Sequence, residues 1–465
     1  MEKFVRDIIV IGGGNAALCA AISAAEEGKS VLLLESSPKL WRGGNSQHTR
    51  NMRVSHEEPT ETLVESYPLA EFYNDLLKVT KGETDEELAT LMIKKSFHLL
   101  HWMNHHGIYF QQSISGTLNL SRTNAFFLGG GKTLVNRECQ IAQDLGVKIL
   151  YEHEVEHVNI QNGTVESLEV KTPEGIESFK ARAYIAASGG FESNREWLKE
   201  VWGEKAENFL IRGTKFNQGK VLKSLLDQGV QPIGKPEQGH AVAIDGRAPL
   251  YDGGIVTRLD CVPFGIVLNK NGKRFYDEGE DFWPKRYAIW GRLVAAQPDQ
   301  VGYVIIDSKS FDLFMPSVFA PIEDDTIKGL ATKLHLPLEQ MVTTIKEYNA
   351  HVQESVFDAS ILDGCKTEGL EVNKTHWARK IDTPPYYAYM LRPGITFTYL
   401  GVKIDANAQV YMRDEKPVKN LFAAGEMVAG NILGQGYLAG TGMTIGGVFG
   451  VIAGKGAANA TRYLT

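Results

Sequence analysis

The sequence has few cysteines and lacks any long apolar run. Four scattered cysteines occur in 465 residues, with no C-x-x-C pair, which disfavours a zinc site, an iron–sulfur cluster and a disulfide framework. No stretch reaches roughly eighteen uninterrupted apolar residues, the length that a membrane-spanning helix requires. The apolar run at residues 8–11 is also shorter than the core of a signal peptide. These absences predict a soluble, cytoplasmic protein.

The sequence also lacks an excess of basic residues. Lys and Arg total 49 against 56 Asp and Glu, which gives a formal net charge of −7. Because phosphate binding normally shows as a basic excess on the binding domain, a nucleic-acid partner is not expected. An anionic small molecule would need a local basic pocket. At roughly 150 residues per domain, the length predicts two or three domains.

A glycine-rich turn follows a short β-branched run near the start of the sequence. Residues 7–11 (DIIVI) lead into Gly12, which permits a tight turn, and Gly14, which lets the backbone approach a pyrophosphate. The following alanine-rich segment predicts a helix whose first N–H groups face the phosphates. A second strand at residues 30–34 ends at Glu35, whose carboxylate can accept both ribose hydroxyls of an adenosine. The pattern predicts a dinucleotide-binding unit.

Three further segments favour FAD over NAD as the dinucleotide. Residues 42–46 (RGGNS) follow the ribose-binding acid directly, as in a chain that doubles back along the pyrophosphate. Residues 186–190 (AASGG) can let adenine lie against the backbone, and residues 420–426 (NLFAAGE) end in an acid suited to the ribityl hydroxyls. The helix that begins near residue 441 should point its N-terminus at the flavin edge where negative charge develops.

The residues predicted to bind FAD are Gly12, Gly14, Asn15, Ala16, Glu35, Ser36, Gly44, Asn45, Ser46, Gly130, Gly131, Val155, Ser188, Gly189, Gly425, Glu426, Thr441 and Gly442. Most of them lie in the first half of the sequence and the others lie near its end. The cofactor domain must therefore be interrupted by an inserted segment. We therefore predict an α/β protein with a discontinuous Rossmann-like FAD-binding domain at residues 1–237 and 389–465. An inserted α+β substrate domain is predicted at residues 238–388.

The ordered set GGGNAA, Glu35, RGGNS, GGGK, ASGGF and LFAAGE resembles the soluble fumarate reductase and succinate dehydrogenase flavoprotein superfamily over essentially the whole chain. Within it, residues 122–132, 253–269 and 276–291 are similar to the tricarballylate dehydrogenases. The resemblance implies a capping domain that clamps substrate against the flavin. It also implies hydride transfer between flavin N5 and a carbon next to a carboxylate. Tricarballylate would give cis-aconitate.

Departures from the superfamily pattern bear on the substrate and on the flavin linkage. Thr398 lies in the stretch where fumarate reductases place a carboxylate-binding histidine, and Tyr437 stands where they carry an arginine. The glutamate of their proton pathway is replaced near Arg258. Simple fumarate reduction is therefore not expected. His48 lies in a Q-H-T sequence similar to the motif that carries covalent FAD in succinate dehydrogenases, but its displacement favours non-covalent FAD over a His48 linkage.

Two residues are candidates for catalysis. The resemblance implies a catalytic arginine after residues 273–278, where Arg286 is the nearest candidate and Lys285 the alternative. A guanidinium relays a proton only if neighbouring carboxylates and desolvation assist it, and the competing interpretation is a surface ion pair. Tyr437 could donate a hydrogen bond or act as a base, as tyrosines do in the related ketosteroid dehydrogenases, or pack beside the flavin.

A tricarboxylate carries up to three negative charges, so several charge-assisted donors should converge on it. The candidates are Arg122, His240, Arg247, Arg258, Arg392 and Thr398. The resemblance also implies a membrane-associated iron–sulfur partner that accepts the electrons, which would hold the protein at the membrane periphery. Two alternatives stay open. The protein could be a related enzyme that acts on another carboxylate or on a ketosteroid, or it could be a flavin electron carrier without its own substrate.

Overall fold

The computed structural model describes residues 5–112 and 120–462 of the chain. The strands are β1 (Val5–Ile11), β2 (Val31–Glu35), β3 (Asn51–Arg53), β4 (Phe110–Gln111), β5 (Asn124–Phe127), β6 (Lys148–Tyr151), β7 (Glu154–Gln161), β8 (Thr164–Thr172), β9 (Gly175–Ala186), β10 (Leu210–Ile211), β11 (Pro232–Ile233), β12 (Gly239–Asp245), β13 (Ile266–Asn269), β14 (Gly302–Asp307), β15 (Ile322–Asp324), β16 (Tyr386–Thr398), β17 (Gly401–Val402), β18 (Gln409–Tyr411) and β19 (Pro417–Ala423).

The α-helices are α1 (Asn15–Glu26), α2 (Leu69–Thr80), α3 (Glu86–His105), α4 (Leu120–Thr123), α5 (Gly130–Asp144), α6 (Arg195–Trp202), α7 (Lys220–Asp227), α8 (Trp283–Arg286), α9 (Trp290–Ala295), α10 (Ile327–Lys333), α11 (Leu338–His351) and α12 (Thr441–Ala460). Two 3-10 helices, Gly44–His48 and Gly425–Asn431, also matter for the site. No helix in the described ranges is both long and apolar enough to cross a membrane.

The larger sheet has a parallel centre. Its strands lie in the order β18-β19-β9-β1-β2-β6, and β1 pairs in parallel with both β2 and β9. β6 and β19 continue the parallel pairing on either side. Residues 8–11 and 31–34 are fully buried, as expected for strands that are covered on both faces. The Rossmann-like α/β fold is therefore confirmed.

An antiparallel meander extends this sheet. β7 pairs with β8, and β8 pairs with the first half of β9. The turns fall at residues 162–163, an Asn-Gly sequence typical of hairpins, and at residues 173–174, directly before Gly175. The second half of β9 then enters the parallel sheet beside β1, so one long strand joins the meander to the core.

Helix α12 packs closely against α1 along a row of glycines. A side-chain carbon at Gly450 would lie 2.6 Å from the carbonyl oxygen of Ala16, and one at Gly454 would lie 2.4 Å from that of Ala20. Because these neighbours are backbone atoms, only glycine permits such an approach. The glycine row therefore fixes the start of α12 next to the start of α1.

A second, mostly antiparallel sheet is organised around the long strand β16. β12, β14 and β15 pair with it in antiparallel fashion, β10 pairs in parallel, and β13 lies beyond β14. Helices α10 and α11 cover one side through a separate apolar cluster. β16 crosses the predicted domain boundary at residue 388, and β10 joins from the first predicted segment, so the exact division into domains stays a prediction. The far end of β16 delivers Thr398 to the larger sheet.

Candidate functional site

A cavity opens at the carboxyl ends of the parallel strands. β1, β2 and β9 end at its wall, which is where ligands bind in open parallel sheets. The residues predicted for FAD that line it are Gly12, Gly14, Asn15, Ala16, Glu35, Ser36, Gly44, Asn45, Ser46, Val155, Ser188, Gly189, Gly425, Glu426 and Gly442. Segments separated by more than 400 residues thus share one wall.

Three predicted residues lie behind that wall rather than on it. Gly131 supports the Gly44–His48 turn, because its N–H donates to the carbonyl of Thr49 at 2.8 Å and a side-chain carbon would lie 2.1 Å from the carbonyl oxygen of Ser46. Gly130, the first residue of α5, adopts φ +69°. Thr441 is fully buried in the first turn of α12, and its hydroxyl has no hydrogen-bond partner in the part of the chain that the structure describes.

The glycine turn is built for close approach of a ligand. Gly12 adopts φ +109°, and a side-chain carbon there would lie 2.3 Å from the carbonyl oxygen of Ala187. No described side chain caps the start of α1 at Gly14. The hydroxyl of Ser46 accepts the N–H of Asn15 at 2.9 Å, which holds the RGGNS segment against the helix start. An open helix N-terminus flanked by glycines suits a pyrophosphate.

Two carboxyls lie where hydroxyl-rich parts of a dinucleotide would need acceptors. Glu35 at the end of β2 accepts the N–H of Ser37 at 2.8 Å, and burial raises the pKa of its carboxyl. The side chain is so close to Gly13 that a side-chain carbon there would lie 2.1 Å from its oxygen. Glu426 stands in the opposite wall of the cavity. The spacing of glycine turn, open helix start and two acids fits FAD.

A cluster of buried cations forms another part of the wall. The guanidinium groups of Arg50, Arg212 and Arg258 all line the cavity. Arg258 pairs with Asp260 at 2.7 Å, and Arg50 lies 3.9 Å from the same carboxylate. Arg212 donates from Nε to the hydroxyl of Thr396 at 2.8 Å, but its buried Nη1 has no hydrogen-bond partner among the described residues. Arg50 and Arg258 therefore share one carboxylate, and Arg212 adds a third cation to the cluster.

The electrostatics of this cluster favour an incoming anion. Burial and the charge of Arg258 together lower the pKa of Arg50 and of Arg212 to about 10. Burial and the same cations lower the pKa of His240 well below its ordinary value, so this ring is neutral. A negatively charged ligand would relieve the repulsion among the guanidinium groups.

Two aromatic hydroxyls complete the polar wall. The ring of His240 stacks on Tyr437 at 4.2 Å between centroids, and its buried Nε2 has no hydrogen-bond partner in the described ranges. The hydroxyl of Tyr437 accepts the N–H of Gly442 at 2.9 Å, at the N-terminus of α12. Burial raises the pKa of Tyr437. Tyr287 lies beside them, with the guanidinium carbon of Arg258 at 4.7 Å from its ring centre.

The other arginines that were predicted to bind substrate do not line the cavity. Arg122 makes a two-pronged pair with Glu71 at 2.6 and 2.7 Å. Arg247 pairs with Asp245 in the same way, at 2.8 and 2.6 Å. Arg392 donates to a backbone carbonyl at 2.9 Å. Thr398 lies beneath the wall, where it contacts a carboxyl that does line the cavity.

The catalytic candidates from the helical segment at residues 283–286 also point elsewhere. Arg286 donates from Nε to Glu280 at 2.8 Å and from Nη2 to the hydroxyl of Tyr276 at 3.1 Å. Lys285 pairs with Asp75 at 2.6 Å. Neither side chain is part of the cavity wall, whereas Tyr437 is.

The sequence did not lead to Arg50 and Arg212 as candidate ligand-binding residues. Arg50 directly follows the Q-H-T sequence, and Arg212 directly follows the short strand β10. Position next to a motif or at a strand end could have marked both as candidates. Their convergence, however, depends on the pairing of β10 with β16.

Metal-binding residues do not cluster in the part of the chain that the structure describes. It contains no group of three or more His, Cys, Asp or Glu side chains that could hold a metal ion. The four cysteines are free and buried.

Comparisons with known proteins identify relatives of this chain. It is similar to an NADH:fumarate oxidoreductase of Klebsiella pneumoniae (23% identical over 98% of this chain and 48% of the relative). It is also similar to an NADH:acrylate oxidoreductase of Vibrio harveyi (25% identical over 97% and 50%). The chain thus spans about half the length of these curated relatives. The open form of a flavocytochrome c3 fumarate reductase has the same fold, with a TM-score of 0.77, 22% identity and coverage of 99% and 79%.

The family assignment rests on a match over nearly the whole chain. The profile of the FAD binding domain family matches residues 7–443. This range includes the glycine turn, both cavity acids and the start of α12. Together with the fit of the cavity, the match establishes FAD as the cofactor. The chain therefore belongs to the FAD binding domain family.

Proposed function

We propose that the protein is an FAD-dependent oxidoreductase acting on a carbon–carbon bond next to a carboxylate, with a polycarboxylate as substrate. Tricarballylate, oxidised to cis-aconitate, is the leading candidate. The observation that carries the proposal is the convergence of Arg50, Arg212 and Arg258 on one cavity, where Asp260 pairs only with Arg50 and Arg258.

Charge arithmetic favours a substrate with more than one carboxylate. Within this cluster, three guanidinium groups and one carboxylate leave two positive charges unbalanced. Buried charges are costly unless they are paired, and Arg212 and His240 each present a buried nitrogen that has no hydrogen-bond partner among the described residues. A tricarboxylate would supply several acceptors at once. A steroid would leave these donors unsatisfied.

The names of the relatives support chemistry at a bond next to a carboxylate. Fumarate and acrylate, which appear in those names, are both carboxylates with an adjacent carbon–carbon double bond. Tricarballylate and cis-aconitate differ by the same two hydrogens. The proposal for this chain therefore keeps the reaction type and changes the number of carboxylates.

In this reaction the substrate loses a hydride from one carbon and a proton from its neighbour. FAD, when bound, accepts the hydride. The arginine cluster would hold the carboxylates and fix which carbon faces the flavin. Tyr437, whose hydroxyl lies in the same wall, is the proposed group for the proton. Because the hydroxyl is protonated, it would pass its own proton on to water or a neighbouring base as it takes the one from the substrate carbon. The electrons would then leave to a separate acceptor, for which an iron–sulfur protein at the membrane is proposed.

FAD is proposed to be bound without a covalent link. His48, the residue that could carry one, uses Nε2 to contact Asp252 at 2.9 Å. Its other ring nitrogen faces Gly254, where a side-chain carbon would lie 2.9 Å away. Acid precipitation of the holoprotein should therefore release all of the flavin into the supernatant.

The decisive test is an anaerobic titration of the oxidised holoprotein. We expect tricarballylate to bleach the oxidised flavin band, with succinate, citrate and a ketosteroid as comparison ligands. Bleaching by succinate alone would contradict the polycarboxylate assignment. If none of these ligands bleaches the flavin, and no unsaturated carboxylate reoxidises the reduced protein, an electron carrier without its own substrate is favoured.

The relatives favour a second candidate, a reductase of an unsaturated carboxylate. The same sample tests it in the opposite direction. Dithionite-reduced protein is mixed with fumarate, acrylate or cis-aconitate, and the return of the oxidised flavin band is followed. Reoxidation by cis-aconitate supports the proposed substrate pair, whereas reoxidation by fumarate or acrylate alone supports the second candidate.

A further inference from the structure

Two glutamates meet in the interior next to the FAD cavity. Glu192 follows β9, and Glu426 lies in the first turn after β19. Because β9 and β19 are parallel neighbours, their carboxyl ends bring both side chains to the same edge of the sheet. Glu192 is 0% exposed and Glu426 is 8% exposed. Phe191, the residue before Glu192, donates its N–H to the hydroxyl of Thr398 at 3.3 Å, and this hydroxyl donates to Glu426 at 2.9 Å. The two carboxyl groups are therefore held close enough to interact.

The remaining contacts of Glu192 are with neutral groups. Its Oε1 accepts the side-chain amides of Asn45 at 2.6 Å and Asn217 at 2.5 Å. Its buried Oε2 has no donor among the described residues. An acceptor oxygen that is buried without a donor is costly. A proton on this oxygen or on its carboxyl neighbour would turn the contact into a hydrogen bond.

Glu426 is likewise surrounded by neutral groups. Its Oε1 accepts the backbone N–H of Thr398 at 2.6 Å and the hydroxyl of the same residue at 2.9 Å. Among the described residues, no cation forms an ion pair with either glutamate. Tyr399 lies beside Glu426. The other titratable or charged groups of the cavity that Glu426 lines include His48, Arg50, Arg212, Arg258, His240, Tyr287 and Tyr437.

Two carboxylates that touch in a buried site cannot both ionise at ordinary pH. Like charges at contact distance raise the affinity of the pair for one proton, and this proton belongs to the pair rather than to either residue. Burial raises the pKa of both carboxyls, and the charge of Glu192 raises the pKa of Glu426 further. The geometry and the electrostatics therefore agree.

We propose that Glu192 and Glu426 hold one proton between them and act as a single unit in the wall of the FAD cavity. In this unit Glu192 is a positioning residue that fixes the place and the charge of Glu426. The proposal concerns the FAD site and does not depend on the identity of the substrate.

Glu192 also connects the pair to the segment that approaches the pyrophosphate. Asn45 donates to Glu192 and to the carbonyl of Thr396 at 2.6 Å, and accepts the N–H of Thr214 at 2.8 Å. Loss of Glu192 would therefore loosen Asn45 as well as change the charge on Glu426. Glu192 does not line the cavity, but it positions two side chains that do, those of Asn45 and Glu426.

The test compares Glu192→Gln and Glu192→Leu with Glu196→Gln, an exposed glutamate on α6 that serves as the control. FAD is removed, and its dissociation constant is then measured by titrating FAD into the apoprotein across a pH series. We expect wild-type affinity to fall as pH rises through the loss of the shared proton, because a second negative charge then enters the wall. Glu192→Gln should abolish this pH dependence, and Glu192→Leu should weaken FAD binding by about tenfold or more at all pH values.

Infrared difference spectra provide a second measurement that needs no substrate. The wild type minus Glu192→Gln spectrum should show the carbonyl stretch of a protonated carboxylic acid at neutral pH. A pH profile in Glu192→Gln equal to that of the wild type, or the absence of this band, would overturn the shared proton. Normal FAD affinity in Glu192→Leu would overturn the positioning role. If Glu192→Leu does not fold, the glutamine variant still decides the proposal.

Discussion

At the scale of single residues, the site depends on three arginines that are far apart in the sequence. Arg50 lies just after the RGGNS segment, Arg212 follows β10, and Arg258 lies in the second predicted domain. Arg258 pairs closely with Asp260, whereas Arg50 and Arg212 bring charges that are poorly balanced within the protein. A bound anion offsets the cost of burying these charges. The cluster therefore favours binding of an anionic ligand and destabilises the protein when no anion is bound.

Arg212→Gln should lower kcat/KM for the substrate by roughly ten- to a hundredfold, since a hydrogen bond to a charged group contributes about 1.5–3 kcal/mol. The flavin spectrum should stay unchanged. Arg122→Gln is the matched control, because Arg122 is paired with Glu71 away from the cavity. Steady-state kinetics on both variants check this, and equal rates in the two would argue against the arginine cluster.

A comparison of Arg258→Gln with Arg286→Gln decides between two locations for the reaction. The resemblance points to Arg286, whereas the cavity contains Arg258. We expect Arg258→Gln to lose most turnover and Arg286→Gln to keep most of it, because the latter would break only the contact with Glu280 and Tyr276. The reverse order of rates would show that the protein closes around Arg286 during turnover.

Local sequence predicted the cofactor residues better than the substrate residues. The glycine turn, Glu35 and Glu426 stand next to strands and helices whose geometry is set locally, so their positions follow from spacing alone. An arginine carries no such local constraint. Whether it faces a cavity or meets a carboxylate such as Glu71 depends on which distant segment packs beside it. The carboxyl pair of Glu192 and Glu426 escaped sequence reasoning for the same reason.

At the scale of elements, the contact between α1 and α12 holds the two ends of the cofactor site together. Both helices begin at the cavity, and the glycines of α12 let the helices approach until backbone meets backbone. The sequence predicted a glycine-rich helix near residue 441 that faces the flavin. It did not predict that α1 packs against this helix, because the spacing of the glycines indicates close packing but not which helix is the neighbour.

Gly454→Ala should destabilise the protein although alanine is the better helix former. The added carbon would lie 2.4 Å from the backbone carbonyl of Ala20, which cannot move aside cheaply. Overpacking costs about 1–3 kcal/mol, against a gain in helix propensity of about 1 kcal/mol. Lys455→Ala, one position further on an exposed face, is the control. A lower unfolding temperature and weaker FAD retention in Gly454→Ala alone would support the prediction, and a higher temperature would refute it.

At the scale of the whole molecule, buried carboxyls make stability depend on pH. Glu138 on α5 is fully buried, and burial raises the pKa of its carboxyl well above the ordinary value. Such a group takes up a proton on folding. Its contribution is therefore fully present below the unfolded pKa of about 4.3 and is lost as pH rises through the folded pKa.

Glu138→Gln should therefore flatten the pH dependence of the unfolding temperature, with its largest relative gain on the alkaline side. Glutamine keeps the size of the side chain and can still contact Asn15, whose amide lies 2.8 Å from the carboxyl in the favoured orientation. Glu87→Gln, at an exposed position, is the control. Thermal unfolding of the three proteins between acidic and alkaline pH measures the effect. Parallel curves for Glu138→Gln and the wild type would exclude a protonated Glu138.

The glycine contact between α1 and α12 also has a consequence for biosynthesis. Residues 12–16 form one side of the cofactor cavity and residues 440–446 form another, so the cavity has no complete wall while the ribosome is still translating the intervening chain. We expect nascent chains to remain without flavin until α12 emerges. Cells short of riboflavin should then accumulate full-length apoprotein rather than stalled fragments.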